Sequence, residues 1–232
     1  MKTDHLAFRI LVWNMRWMTL HVGFVARPFI VWYSEREVIA CGLRATGGDV
    51  RIIYSMLPSR CKHTFTKRDT TGQWLPDRAE PTANFSGELV HQVTLPNAQL
   101  GDIYRVNAEL KNSGRLIQSP NITVKPATAR TNILTVQMLP HGQAKFMWPA
   151  GEQFDPMVYF LALEDNAGNS LAGVYTRDTS WTYPITKQAS LSLGPIDPSP
   201  LEPRQNYTAK LVIVDFDGWV SNIAERQFTL LP

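Results

Sequence analysis

Two stretches of the chain share the same order of residues. Each begins with a leucine, Leu100 or Leu201, and then reaches a tyrosine, Tyr104 or Tyr207. Apolar residues alternate with others after each tyrosine, and a turn containing glycine follows. The two tyrosines are 103 positions apart, which is the size of one small domain. A repeat of this length predicts two similar domains in tandem, and it limits the folds open to the chain more than any other feature.

The apolar pattern within each repeat is that of β-strands. From about residue 36 onward, short alternating runs are separated by turn signals, and 16 prolines and 14 glycines are scattered singly among them. No long window after residue 40 has apolar residues at helical spacing between helix caps. We therefore expect an all-β chain with two tandem antiparallel β-sandwich domains, at residues 35–126 and 131–232. The short linker between them, residues 125–131, predicts limited interdomain motion.

The second domain carries a family resemblance in Trp148 before Pro149, Tyr159, the run Leu201-x-Pro203-x-x-x-Tyr207 and the turn Asp215-x-Asp217-Gly218-x-x-Ser221. This combination resembles a fibronectin type III domain. The resemblance implies that Trp148 is the central core residue and that the hydroxyl of Tyr207 ties a corner of the chain to the backbone. The first domain matches only in the strand of Tyr104 and its turn, so it is similar to immunoglobulin or fibronectin domains in general. We predict Trp148, Tyr159, Tyr104 and Tyr207 as structural core residues.

Two further stretches do not fit the residue pattern expected of a simple β-sandwich, in which one face of each strand is apolar and the other polar. Val212 and Val214 lie opposite the predicted core face of their strand, where a solvated face would be polar. We expect the neighbouring domain or a partner to cover them. Residues 62–83 form a long polar stretch around Trp74, which is either a mobile loop or a divergent hairpin.

The sequence Asp215-Phe-Asp-Gly-Trp219 is superficially similar to the start of a calcium-binding loop. Such a loop needs a glutamate at its twelfth position, where this chain has Arg226. Asp-Gly between alternating strands instead predicts a hairpin turn. Trp219, which follows the turn, either folds back over its own sheet or is exposed to solvent.

Exposed aromatic side chains can stack on sugars or anchor a protein partner. Trp219, Trp181 and Tyr183 are the candidates here, because they flank predicted turns or loops. We predict these three as ligand-binding residues.

Cys41 and Cys61 are the only cysteines. A disulfide between them would close a loop of about twenty residues and stabilise the fold by roughly 3 kcal/mol. The alternative is two unpaired thiols in the core. Neither these cysteines nor the five histidines have the spacing of a metal site, and no motif for a catalytic nucleophile or a nucleotide is present. We therefore expect no enzyme activity, no cofactor and no metal.

The charges are mixed along the chain, with 23 lysines and arginines against 20 acidic residues and no basic block. This distribution argues against a nucleic-acid partner. The segment 1–34 is hydrophobic but is interrupted by Arg9, Asn14 and Arg16. Three interpretations stand: a degenerate signal or anchor, extra strands packed on the next domain, or a start codon placed too far upstream. Membrane association through residues 6–33 stays open.

These features predict a non-catalytic binding or spacer module of an extracellular, cell-surface or envelope protein. Its partner would be a protein or a glycan, bound through loop tips or a strand edge. One alternative is a structural component of a larger assembly, such as a phage tail or envelope complex. Another is an accessory domain of a carbohydrate-active enzyme.

Overall fold

The computed structural model describes residues 38–56, 61–82, 85–86, 90–110, 114–150, 158–184, 191–193 and 200–230. All the regular secondary structure in these ranges is β-strand, so the all-β prediction is confirmed. The three interpretations of segment 1–34 concern residues that lie outside these ranges. Among the described residues, no helix is long and apolar enough to cross a membrane.

The first domain is an antiparallel sandwich of two sheets. Its strands are β1 (Val38–Arg44), β2 (Val50–Met56), β3 (Cys61–Arg68), β4 (Trp74–Asp77), β5 (Glu80–Pro81), β6 (His91–Leu95), β7 (Ile103–Leu110), β8 (Leu116–Gln118) and β9 (Ile122–Thr123). One sheet has the order β1-β2-β6-β5, and the other has the order β4-β3-β7-β8, with β9 on β7. The first order is that of the A-B-E-D sheet of immunoglobulin constant-type sandwiches.

Strict alternation builds the core of the first domain. Val50, Ile52 and Tyr54 on β2 face Tyr104 and its β7 neighbours across the sandwich, and all are buried. Tyr104 is fully buried and its hydroxyl donates a hydrogen bond to Asp77 Oδ2 at 3.0 Å. Its prediction as a core residue is confirmed.

The second domain is also a sandwich. Its strands are β10 (Ala129–Thr131), β11 (Thr135–Leu139), β12 (Gln143–Met147), β13 (Val158–Asp165), β14 (Ser170–Thr176), β15 (Ser180–Tyr183), β16 (Leu191–Leu193), β17 (Asn206–Val214) and β18 (Val220–Thr229). The smaller sheet has the order β11-β12-β15, and the larger has the order β10-β18-β17-β13-β14-β16. All pairs are antiparallel except β10 with β18.

The residues behind the fibronectin type III resemblance occupy the positions that it implies. Trp148 is buried and meets Tyr159 edge to face, with ring centroids 5.4 Å apart. The hydroxyl of Tyr207 accepts a hydrogen bond from the amide of Glu202 at 2.8 Å and so ties the corner before β17 to that strand. The predicted core roles of Trp148, Tyr159 and Tyr207 are confirmed.

The predicted linker is partly a strand. Residues 129–131 form β10, which pairs with β18 in parallel. Just before it, Thr128 Oγ1 accepts a hydrogen bond from the amide of Arg44 and donates one to the carbonyl of Val220, both at 2.9 Å. The connection is thus bound to both domains, which restricts their relative motion more than a free linker of this length would.

The two domains pack sheet against sheet. Val212 and Val214 are 0% and 2% exposed, although they lie opposite the core face of β17. On the first domain, the outward residues of β1 and β2, such as Leu43 and Ile53, are buried as well. Ser55 Oγ on β2 lies 3.1 Å from the hydroxyl of Tyr175 on β14, so these two faces meet. The valines are buried, as expected, and the contact of Ser55 with Tyr175 places the first domain against this face of the sheet.

A pair of histidines at the rim of the first core predicts a loss of stability in acid. His63 lies 5.0 Å from the ring centroid of Tyr54, which also contacts His91. Burial and the nearby charge of His91 lower the pKa of His63 from its ordinary 6.5. His63 therefore binds a proton more readily in the unfolded chain than in the folded protein. The contribution of His63 to the free energy of unfolding is complete above pH of about 6.5 and is lost as the pH falls through the lowered pKa.

We expect urea unfolding to show a smaller pH-dependent loss of stability in His63→Gln than in the wild type, between pH of about 7.5 and 5.5. His141→Asn, which removes an exposed histidine from the β11–β12 turn, is the matched control and should behave as the wild type does. Equal losses in wild type and His63→Gln would contradict the assignment.

Candidate binding surface

Trp219 joins the two domains. It is 1% exposed and belongs to the core cluster of the first domain, although it follows β17 of the second. Its indole Nε1 donates a hydrogen bond to the carbonyl of Ala127 at 2.8 Å. The amide of Gly42 on β1 donates to the carbonyl of Gly218 at 2.9 Å, and a Cβ at position 42 would lie 2.9 Å from the Trp219 ring. Only glycine at position 42 lets the two backbones approach this closely.

The carboxylates of the turn are occupied by the chain itself. Asp215 Oδ1 accepts hydrogen bonds from the amides of Asp217 and Trp219, each at 3.0 Å. Lys125 Nζ lies 2.6 Å from Asp215 Oδ2 and 2.7 Å from Asp217 Oδ2. Burial lowers the pKa of Lys125, but its hydrogen bonds to these two carboxylates outweigh the burial and raise the pKa overall. The hairpin turn is confirmed, and its charges stabilise the joint between the domains.

In the described part of the chain, no group of three or more His, Cys, Asp or Glu side chains is placed to hold an ion.

The three aromatic residues predicted to bind a ligand are all buried. Trp181 is 1% exposed, Tyr183 is 3% exposed and Trp219 is 1% exposed. Trp181 stacks on Phe146 at a centroid distance of 5.8 Å inside the second core. Their prediction as exposed ligand contacts is therefore wrong: alternation along β15 and the packing of the domains turn these rings inward.

Cys41 is a free, buried cysteine, which goes against the predicted disulfide with Cys61. The physical reason is the pleat of β1, where Val38 and Ala40 face the core and Cys41 faces the second domain. Burial, and to a smaller extent the charge of Asp215, raise the pKa of the Cys41 thiol. The side chain of Cys61 lies outside the described part of the structure.

An open surface lies on the other sheet of the first domain. We define the polar face by Thr66 and Arg68 on β3, Trp74 on β4, Arg105 and Asn107 on β7, and Gln118 on β8. These residues share the outer side of the sheet because Thr66 pairs with Arg105, Arg68 with Trp74, and Asn107 with Gln118. Arg68 and Gln118 are exposed, and Thr66, Trp74 and Arg105 are partly exposed. Solvent therefore reaches most of this face.

Arg105 and Trp74 form the rigid part of the polar face. The guanidinium carbon of Arg105 lies 4.2 Å from the centroid of the Trp74 ring, a cation–π contact. Arg105 Nε also donates a hydrogen bond to Asn121 Oδ1 at 2.8 Å. Burial lowers the pKa of the Arg105 guanidinium, and the positive charge of Arg68 lowers it further. Two cations thus lie near each other at this end of the face.

Neutral polar groups occupy the other end of the polar face. Gln118 Nε2 donates to Asn107 Oδ1 at 2.8 Å, and Asn107 Nδ2 donates to Thr66 Oγ1 at 3.0 Å. Asn107 is 4% exposed because its neighbours shield it, and both ends of its amide are hydrogen-bonded. The chain of bonds fixes the direction in which each amide points.

Sequence reasoning missed this face because Arg68 and Trp74 belong to the polar stretch 62–83. Residues 62–77 of that stretch form the hairpin of β3 and β4, closed by a turn in which Asp69 Oδ1 accepts hydrogen bonds from the amides of Thr71 and Gln73. The polar alternation Lys62, Thr64, Thr66, Arg68 and the Asp-Thr-Thr-Gly turn were the signals in the sequence. The partner strand β7 lies about forty residues away in sequence, and only the fold brings Arg105 beside Trp74.

Comparison with known proteins supplies no family. No protein-family model matches the chain, and no curated protein matches it either. Among solved structures, the chain is similar to a two-domain fibronectin type III segment of chicken tenascin, at 10% identity and a TM-score of 0.32, covering 78% of this chain and 91% of that one. It is also similar to the FN1–FN3 domains of chicken CNTN1, at 10% identity and a TM-score of 0.32, covering 83% of this chain and 66% of that one. The tandem β-sandwich fold follows from the strand pairing and the two cores, and these likenesses add no argument about function.

Proposed function

We propose that the chain is a non-catalytic binding module of an extracellular, cell-surface or envelope protein. In this module the second domain holds the first in a fixed orientation, so that the polar face is presented to a partner. The observation that carries the proposal is the packing of one sheet of each domain against the other. That packing covers β1 and β2 of the first domain and leaves its β4-β3-β7-β8 sheet open.

Several unlike interactions hold the two domains together. Trp219 contributes apolar burial to the first core. Lys125 of the first domain forms an ion pair with Asp215 of the second at 2.6 Å, and Lys210 Nζ on β17 donates to the carbonyl of Phe85 of the first domain at 3.2 Å. Ser86 Oγ and Ser170 Oγ lie 2.8 Å apart across the same boundary. Because the boundary combines apolar burial in a core with ionic and backbone contacts, it restricts the relative motion that a small polar interface would allow.

A fixed orientation is testable by distance measurement between spin labels. Both native cysteines are replaced (Cys41→Ala and Cys61→Ser), and labels are attached at Thr64→Cys on β3 and Gln137→Cys on β11, two exposed positions in different domains. We expect one narrow distance distribution by pulsed electron paramagnetic resonance. Adding Trp219→Ala should broaden it.

The control pair places both labels in the second domain, at Gln137→Cys and Arg226→Cys, and gives the width of a single rigid body. An interdomain distribution that is broad or multiple in the parent background would overturn the proposal. So would a distribution that Trp219→Ala leaves unchanged.

A further inference from the structure

The positive charge at one end of the polar face lacks an acidic partner. Within the described part of the chain, neither Arg68 nor Arg105 takes part in an ion pair. Lys62, further along β3, lies opposite Glu109 on β7 in the strand register, so an opposite charge lies nearby. The charge available to a ligand is therefore that of the two arginines beside Trp74.

Arg105 is held in place before any ligand arrives. Its plane rests on the Trp74 ring, and its Nε is hydrogen-bonded to Asn121. The two terminal nitrogens, Nη1 and Nη2, have no hydrogen-bond acceptor among the described residues and form a fork that fits a planar or tetrahedral anion. Because the side chain is already ordered, binding an anion costs less conformational entropy than it would at a mobile arginine.

The neutral end of the face suits hydroxyl groups. The Oε1 atom of the exposed Gln118 accepts no hydrogen bond from a described residue, while its Nε2 is used by Asn107. Thr66 and Thr64 add hydroxyls on β3, one strand away from Asn107. A ligand that alternates anionic groups with hydroxyl groups would find partners for both along one sheet.

We propose that the polar face binds an acidic polysaccharide, a sugar chain that carries carboxylate or sulfate groups beside free hydroxyls. The anionic group accepts hydrogen bonds from Arg105 and Arg68, and a sugar ring contacts the accessible part of Trp74. A single-stranded nucleic acid fits less well, because it requires a longer stripe of cations and several stacking rings. The proposal rests on the proposed function only in requiring that this face be open.

The test is a titration of the whole protein with four probes by isothermal calorimetry at low salt. Polygalacturonate carries carboxylates only, heparin carries sulfates as well, dextran is neutral, and poly(dT) represents nucleic acid. We expect binding to one or both acidic polysaccharides, weakening as salt is raised, and none to dextran. Binding of polygalacturonate assigns the site to carboxylate, and binding of heparin alone assigns it to sulfate.

Single substitutions locate the site. Arg105→Gln and Arg68→Gln should each weaken binding by about tenfold or more, since each removes a charge-assisted hydrogen bond. Arg105→Lys keeps the charge but loses the planar fork, so its affinity should lie between those of the wild type and Arg105→Gln. Arg226→Gln is the matched control: it removes an exposed arginine of the second domain and should change affinity by less than about twofold.

Trp74→Ala should also weaken binding, and Trp74→Phe, which retains a ring under Arg105, should restore much of it. Circular dichroism and thermal unfolding of each variant separate loss of binding from loss of folding. The proposal is overturned by an equal effect of Arg226→Gln, by binding to dextran, by tighter binding to poly(dT), or by no binding to either acidic polysaccharide. A narrow interdomain distance distribution would leave the proposed function standing in each of these cases.

Discussion

Replacing Trp219 by alanine is expected to lower the free energy of unfolding of the two-domain unit by about 3–5 kcal/mol. The ring is 1% exposed and lies in the first core, so the substitution leaves a cavity there. It also leaves the carbonyl of Ala127 without its indole donor. Because Trp219 comes from the second domain, the loss should appear as reduced coupling between the domains as well as lower stability.

Urea unfolding measures the loss of stability, and differential scanning calorimetry shows whether the two domains unfold together or separately. We expect the wild type to unfold in one transition, since Glu35–Pro232 form one compact unit, and Trp219→Ala to unfold in two. Phe216→Ala is the control in the same turn: its ring is 48% exposed, and the change in stability should stay within about 0.5 kcal/mol. A loss below about 1 kcal/mol for Trp219→Ala would contradict its place in the core.

Replacing Trp181 by alanine is expected to cost a similar amount, about 3–5 kcal/mol, but in the second domain alone. Trp181 stacks on Phe146 and meets Tyr183 edge to face, at a centroid distance of 5.8 Å in each case. Losing the ring therefore loosens the second core without touching the interdomain joint. In spin-labelled protein that remains folded, the interdomain distance distribution should stay narrow, in contrast to that of Trp219→Ala.

Phenylalanine substitutions separate the roles of the two tryptophans. The Nε1 atom of Trp181 is buried without a hydrogen-bond partner among the described residues, whereas that of Trp219 donates to Ala127. Trp181→Phe removes an unsatisfied donor, so it should lower the free energy of unfolding less than Trp219→Phe does. Trp219→Phe leaves the carbonyl of Ala127 without its hydrogen-bond donor. Unchanged stability of Trp181→Ala, with altered binding, would instead restore the interpretation of Trp181 as an exposed ligand contact.

Local sequence patterns predicted the strands well. Alternation around Tyr207 placed Ala209, Leu211 and Ile213 in the core, and the structure buries all of them there. The pleat of a strand has a period of two, so side-chain direction can be read from sequence wherever one face is apolar. The sequence did not predict β10, because Ala129–Thr131 has no apolar pattern and pairs with the distant strand β18.

The candidate surface could not be derived in the same way. Arg105 and Trp74 lie on strands that neighbour β3 on opposite sides, and nothing near either residue in sequence indicates the other. The sequence pattern instead predicted three aromatic residues near turns as ligand contacts, and all three are buried. Proximity to a turn predicts exposure only where neither the inward alternation of a strand, as for Trp181 and Tyr183, nor the packing of a second domain, as for Trp219, buries the side chain.

The sequence by itself determined the all-β class, the tandem arrangement and the inward role of Tyr207, because strand alternation and turn residues act over a few positions. The inward roles of Trp148 and Tyr159 were implied by the resemblance to fibronectin type III domains. Only the tertiary structure decided which faces stay open. Burial of a sheet face depends on what packs against it, and that partner is more than a hundred residues away for Ser55 and Tyr175. The same packing took Trp219 out of solvent and left Arg105 and Trp74 on a sheet of the first domain whose outer side is partly exposed.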